Sequence, residues 1–197
     1  MLVTDDRLVE GRDLVALALA AERGGATAIQ LRLKLASPRE QVERARALVA
    51  KLRIPVLVND RPDIALAAGA AGAHLGPDDL PVSLARRIVP PGFVIGASVG
   101  SEAEAGAAAE ADYWGIGPWR ITGTKSDAGE ALGAERFRRL VELAGGKPCI
   151  GIGGVRPEDV ASVLAAGAVG VAVVSGILAE DDVEQATRRY SAAPLSS

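Results

Sequence analysis

Cysteine is nearly absent from this chain. Cys149 is its one thiol, so an internal disulfide is excluded and a reducing compartment such as the cytoplasm fits. Aromatic residues make up only 3%, too few for a platform on which nucleic-acid bases stack. Excess positive charge is missing as well, and a net charge of −3 argues against non-specific binding of nucleic acid. Hydrophobic residues reach 49%, yet no apolar run is long and charge-free enough to cross a bilayer. The opening Met1-Leu2-Val3-Thr4-Asp5-Asp6 lacks a basic stretch followed by an apolar one, so no signal peptide is expected.

What the chain has is a repeated phrase: a helical stretch, a turn of small residues, then a short β-rich run. Helical patterns over 13–23, 38–52, 63–68, 82–89, 102–110, 133–144 and 157–166 lead into strands over 28–33, 56–58, 73–75, 94–99, 113–117, 149–152 and 169–174. With a first strand over 2–4 and a last helix over 181–190, the count is eight and eight. Strict alternation implies parallel pairing, because parallel strands need crossover connections. Eight units in 197 residues predict an α/β fold of the (β/α)8 TIM-barrel type, at the small end of its range. A doubly wound open sheet is the alternative, but it usually has fewer units. With no linker and no shift of composition, a single domain over 1–190 is expected, followed by a disordered tail over 191–197.

In such a barrel, chemistry gathers where strands end. The second strand reads Gln30-Leu31-Arg32-Leu33-Lys34-Leu35. Alternation puts Gln30, Arg32 and Lys34 on the lumen side, and the three leucines in the layer between barrel and helices. Two cations there either pair with acids or await an anion. The third strand ends at Asn59-Asp60, and the fourth stops just before Asp78-Asp79. Acids at neighbouring strand ends, roughly 4.8 Å apart, can share one hard cation such as Mg²⁺. Asp78 serves equally well as a helix N-cap. The loop after the sixth strand, Pro118-Trp119-Arg120-Ile121-Thr122-Gly123-Thr124-Lys125, offers hydroxyls and a lysine for anion contact. Gly151-Ile152-Gly153-Gly154 and Val174-Ser175-Gly176 end the last two strands, the usual phosphate site of this fold. One mouth therefore carries two anion sites: side-chain cations with Mg²⁺, suited to a diphosphate, and backbone amides, suited to a monophosphate.

These motifs, taken in order, resemble the thiamine phosphate synthase family from end to end. The resemblance rests on Leu2-Val3-Thr4-Asp5, Gln30-Leu31-Arg32-Leu33-Lys34, Asn59-Asp60 and the His-x-Gly-x-x-Asp from His74 to Asp79. It continues through Ser98 in Ile95-Gly96-Ala97-Ser98, Gly117-Pro118 with Thr122-Gly123-Thr124-Lys125, Ile152-Gly153-Gly154-Val155 and Val171-Ala172-Val173-Val174-Ser175. It implies a transferase that joins 4-amino-2-methyl-5-hydroxymethylpyrimidine diphosphate to thiazole phosphate. The products are thiamine phosphate and pyrophosphate, and the displacement is dissociative and Mg²⁺-assisted. It implies that Arg32, Lys34 and Lys125 stabilise the departing diphosphate, with Mg²⁺ on Asp60 and Asp79. Gln30, Asn59 and Ser98 would orient the pyrimidine; Thr122, Thr124, Gly154, Val174 and Ser175 would hold the thiazole phosphate. The expected partners are these small molecules, with no nucleic acid and no membrane, and a homo-oligomer stays compatible with the sequence.

The chain departs from the family pattern at Leu33 (usually Glu), Pro77 (commonly Gln) and Trp119-Arg120. Strand parity turns Leu33 away from Arg32, so binding should survive there. Pro77 bears on the metal loop, and Trp119-Arg120 on the loop after the sixth strand. A thiazole tautomerase-like enzyme shares the barrel, but that branch tends to lose the acids and often has a catalytic His where Pro118 stands. A non-catalytic phosphate-binding barrel would keep the glycines without needing Arg32, Lys34, Asp60 and Asp79 together. His74, the one histidine, reads as a hydrogen-bonded barrel residue, and Cys149 as packing at the bottom of the seventh strand.

Overall fold

The computed structural model describes residues 1–120 and 131–192. Eight parallel strands follow in chain order: β1 (Leu2–Val3), β2 (Ile29–Leu31), β3 (Val56–Asn59), β4 (Gly72–Leu75), β5 (Val94–Val99), β6 (Tyr113–Ile116), β7 (Cys149–Ile152) and β8 (Gly170–Ala172). A parallel bridge from Leu2 to Val173 closes the ring, with the Val3 amide donating to the Val173 carbonyl at 2.9 Å. This is the (β/α)8 barrel expected from the alternation.

The helices are α1 (Asp6–Val9), α2 (Leu14–Arg23), α3 (Pro38–Lys51), α4 (Pro62–Ala68), α5 (Val82–Ile88), α6 (Glu102–Ala107), α7 (Gly133–Leu143), α8 (Val160–Ala165), α9 (Ser175–Leu178) and α10 (Val183–Ser191). Local chemistry sets their starts. Asp13 accepts from the amides of Val15 and Ala16 to cap α2, and Ser37 caps α3 ahead of Pro38 in the first turn. Four-residue α1 and α9 were not expected from the pattern; they are single turns folded into the loops that leave β1 and β8. Helix α10 runs through Ser191, whose hydroxyl donates to the Gly24 carbonyl at 2.7 Å, so Ser191 itself is held in the fold. Residues 193–197 lie outside the described residues.

Alternation along the strands builds two layers. Ile29, Leu31, Val56, Val58, Ala73, Leu75, Ile95, Ala97, Val99, Trp114 and Ile116 point outward into one continuous core against the helices. Gln30, Asn59, His74 and Ser98 point inward and line a cavity at the C-terminal mouth. Gly96 shapes the interior, because a Cβ there would collide with the Tyr113 ring. Leu31 and Leu33 lie in the outer layer as parity required, but Leu35 does not: it is 83% exposed. The cause is early termination of β2. Thr4 Oγ1 accepts from the Arg32 amide at 2.7 Å and donates to the Arg32 carbonyl, while Asp6 accepts from the amides of Lys34 and Leu35. The chain therefore bends away before position 35, and alternation no longer applies.

Candidate functional site

The mouth holds a cavity of about 600 Å³. Every site residue expected from the sequence within the described region lines it: Gln30, Arg32, Lys34, Asn59, Asp60, Asp79, Ser98, Gly154, Val174 and Ser175. Thr122, Thr124 and Lys125 lie outside the described residues.

On the side of β2 to β4, charged groups engage one another. Arg32 Nη1 lies 3.3 Å from Asp5 Oδ2, and Lys34 Nζ lies 3.3 Å from Asp60 Oδ2. The two cations are thus internally paired, one of the two outcomes open from the sequence. Lys34 is half exposed, and contacts of that kind are worth about 0–1 kcal/mol, so an incoming anion can compete for it; Arg32 and Asp5 are more buried. Asp60 has φ of +64°, the one non-glycine residue with positive φ among those described. Its amide donates to the His74 carbonyl at 2.8 Å, which fixes this conformation.

Asp79 is placed by a turn at the exit of β4. Its Oδ2 accepts from the Gly76 amide at 2.7 Å, and its own amide donates back to the Gly76 carbonyl. Pro77 sits inside that turn without breaking it, since neither bond uses the amide it lacks. Burial and the neighbouring Asp60 carboxyl push the Asp79 pKa up to about 6. Asp78 is not an N-cap: α5 starts after Pro81 and has no side-chain cap bond, and Asp78 lines the mouth instead. The chemistry of Asp60 and Asp79 fits Mg²⁺: two crowded carboxylates would be relieved by a divalent ion that keeps its remaining positions for water and phosphate oxygens. Among the described residues, no group of three or more His, Cys, Asp or Glu is arranged to hold a metal.

Deeper in the mouth stand an amide pair and an imidazole between two hydroxyls. Gln30 is 5% exposed, and its Nε2 donates to Asn59 Oδ1 at 2.7 Å. His74 Nδ1 and Nε2 lie 2.9 Å from the Tyr113 hydroxyl and 3.0 Å from Ser98 Oγ. His74 is thus the hydrogen-bonded barrel residue that the sequence suggested.

Across the cavity, β7 and β8 present backbone. Gly153 and Gly154 have φ of +88° and +66°, a conformation that glycine adopts freely. A Cβ on Gly153 would also stand 2.6 Å from Pro118 Cβ. The first amides of α9, at Ser175 and Gly176, have no partner within the helix, as at any helix start.

Strand-end logic missed three contributors. Asp5 pairs with Arg32, and its place two residues past β1 could have marked it. Glu104, on α6, accepts from the Gly100 amide at 2.7 Å, and Arg136 lies in the first turn of α7; both line the mouth from helices, where nothing in the spacing signalled them. The departure at Trp119-Arg120 is structural. Trp119 packs edge-on against Phe137, and Arg120 makes a two-pronged ion pair with Asp159. Buried Cys149 opens β7, away from the mouth. No helix among the described residues is long and apolar enough to cross a membrane.

Fold and mouth together define a (β/α)8 barrel of the enzyme type, with charged side chains on one wall of its C-terminal cavity and glycine-rich backbone on the other. Over residues 1–177 the chain matches the family model for thiamine monophosphate synthase, and it belongs to that family of transferases. It is 49% identical to thiamine-phosphate synthase of Xanthobacter autotrophicus, over 100% of this chain and 95% of the relative. The solved structure of thiamine phosphate pyrophosphorylase from Pyrococcus furiosus is similar at 39% identity and TM-score 0.86, covering 96% of this chain and 91% of that one. Phosphoribosyl anthranilate isomerase from Thermus thermophilus, at 20% identity, TM-score 0.66 and coverage of 98% and 96%, shares the fold alone.

Proposed function

We propose that this mouth joins 4-amino-2-methyl-5-hydroxymethylpyrimidine diphosphate to thiazole phosphate, releasing pyrophosphate and forming thiamine phosphate. One observation carries the reading: Arg32, Lys34, Asp60 and Asp79 line the same 600 Å³ cavity as Gly153, Gly154, Ser175 and Gly176. A diphosphate suits the first wall and a monophosphate the second, and one cavity keeps the two molecules in reach of each other.

In this reading Arg32 and Lys34 exchange their carboxylate partners for the diphosphate and stabilise its charge as it leaves. Lys125 would add a third cation, as the family resemblance implies. Gln30, Asn59 and Ser98 hold the pyrimidine ring so that its methylene carbon faces the thiazole nitrogen. The amides of Gly154 and Ser175, with Val174, Thr122 and Thr124, hold the thiazole phosphate. Asp60 and Asp79 would seat Mg²⁺, which when bound supplies positive charge to the leaving oxygens. No side chain need act as general base, since departure of the diphosphate precedes attack.

The test is pyrophosphate release with both substrates present. Turnover is expected with Mg²⁺, with near-complete loss in Lys125→Ala. Undiminished turnover in excess EDTA would overturn the metal assignment, and absence of turnover with every divalent ion would overturn the reaction.

A further inference from the structure

The chain's single histidine lies between two hydroxyls on three successive strands. The register aligns His74 of β4, Gly96 of β5 and Tyr113 of β6. Gly96 carries no side chain, so the Tyr113 phenol reaches over β5 to within 2.9 Å of His74 Nδ1. On the far side of the imidazole, Nε2 lies 3.0 Å from Ser98 Oγ, and Ser98 lines the mouth. Tyr113 and His74 are each 8% exposed.

The direction of these bonds follows from the phenol. Burial holds its proton well above the ordinary tyrosine range. That hydrogen needs an acceptor, and His74 Nδ1 is the partner the Tyr113 hydroxyl has among the described residues. If Nδ1 carried a hydrogen, the phenol could only accept, and its own buried hydrogen would be stranded. The phenol therefore donates to Nδ1, the imidazole hydrogen resides on Nε2, and Nε2 donates to Ser98 Oγ. With that lone pair occupied, the Ser98 hydroxyl hydrogen is free to point at a ligand. The opposite tautomer would let Ser98 spend its hydrogen on Nε2 and offer a ligand lone pairs only.

We propose that Tyr113 is a positioning residue which, through His74, makes Ser98 a hydrogen-bond donor toward the pyrimidine substrate, so that the site selects a heterocycle presenting an unprotonated ring nitrogen there. The substrate in this statement rests on the proposed function; the tautomer does not.

Because the chain has one histidine, protein labelled with ¹⁵N-histidine gives the spectrum of a single imidazole without assignment. The wild type is expected to show hydrogen on Nε2 alone, and Tyr113→Phe a mixture of tautomers. Hydrogen on Nδ1 in the wild type would overturn the relay whatever the reaction is. In turnover, Tyr113→Phe and Ser98→Ala should each raise KM for the pyrimidine diphosphate about tenfold. The kcat and the KM for thiazole phosphate should stay within about threefold. The double variant should be no worse than either single one, as for groups acting in series. A double variant about a hundredfold impaired would mean independent effects and would overturn the coupling. A wild type with the expected spectrum but no turnover would instead sink the functional reading, and the choice of substrate with it.

Discussion

The two walls of the mouth use different chemistry. At the ends of β2, β3 and β4, charge resides on Arg32, Lys34, Asp60 and Asp79, and these groups already engage each other, Asp5 or the backbone. At the ends of β7 and β8, neither 152–155 nor 173–176 contains an ionisable side chain. The polarity there comes from glycine-rich backbone and the first turn of α9. The first wall should respond to protons, cations and single substitutions. The second, built from backbone, should answer to few side-chain changes.

The sharpest break of that comparison is at Asp60. Its φ of +64° makes alanine a poor probe, because the new residue would be strained as well as uncharged. Asp60→Asn keeps a residue that tolerates this conformation, and Asp60→Gly removes the strain altogether. Both variants should lose about a hundredfold or more in pyrophosphate release. Asp60→Gly should nevertheless match the wild type in urea unfolding, or exceed it by up to about 1 kcal/mol. Activity surviving in the glycine variant would mean that the carboxylate wall has no special part in the reaction.

A smaller effect is expected from pH, again on the charged wall only. The Asp79 carboxyl is raised from 3.8 to about 6 by burial and by Asp60. The folded state therefore holds its proton where the unfolded chain has released it. The stabilising contribution is complete below about pH 4 and is lost as pH rises through about 6. Binding of Mg²⁺ requires the ionised form, so its apparent affinity should climb over the same interval and level off above it. Urea unfolding in EDTA and a Mg²⁺ titration, each from pH 4 to pH 8, read the two trends. Asp79→Asn should flatten both; an unchanged pH dependence in that variant would assign the titration elsewhere.

The barrel was legible because its signal is redundant: eight repeats of one pattern constrain each other, and small residues mark the turns. Inward and outward faces of β2 were legible through Leu33, where period-two alternation holds. They were lost at Leu35, because a tertiary clamp from Thr4 and Asp6 bends the chain, and no local pattern encodes a clamp contributed from 28 residues away. The acids at strand ends stood out for the same reason that Asp5 could have: a carboxylate within a few residues of the end of an apolar run draws notice. Glu104 and Arg136 were illegible, since a helix residue reaches the mouth only through the angle at which its helix packs. The Tyr113–His74–Ser98 chain was half legible. Each residue faces inward by parity, but the bonds among β4, β5 and β6 depend on register, which the sequence does not state.

The amide wall supplies the smallest effect and the cleanest contrast. Ser175 is the first residue of α9, so its amide is free of helical partners while its side chain stands exposed. If backbone holds the thiazole phosphate, Ser175→Ala deletes a hydroxyl but leaves the amide, the helix start and the neighbouring Gly176 as they were. Its KM for thiazole phosphate should then move by less than about threefold, the scale of one exposed neutral hydrogen bond. A tenfold rise would show that the hydroxyl itself grips the phosphate. The two walls would then differ only in which side chains they use, and the division between adjustable charge and fixed backbone would no longer describe this mouth.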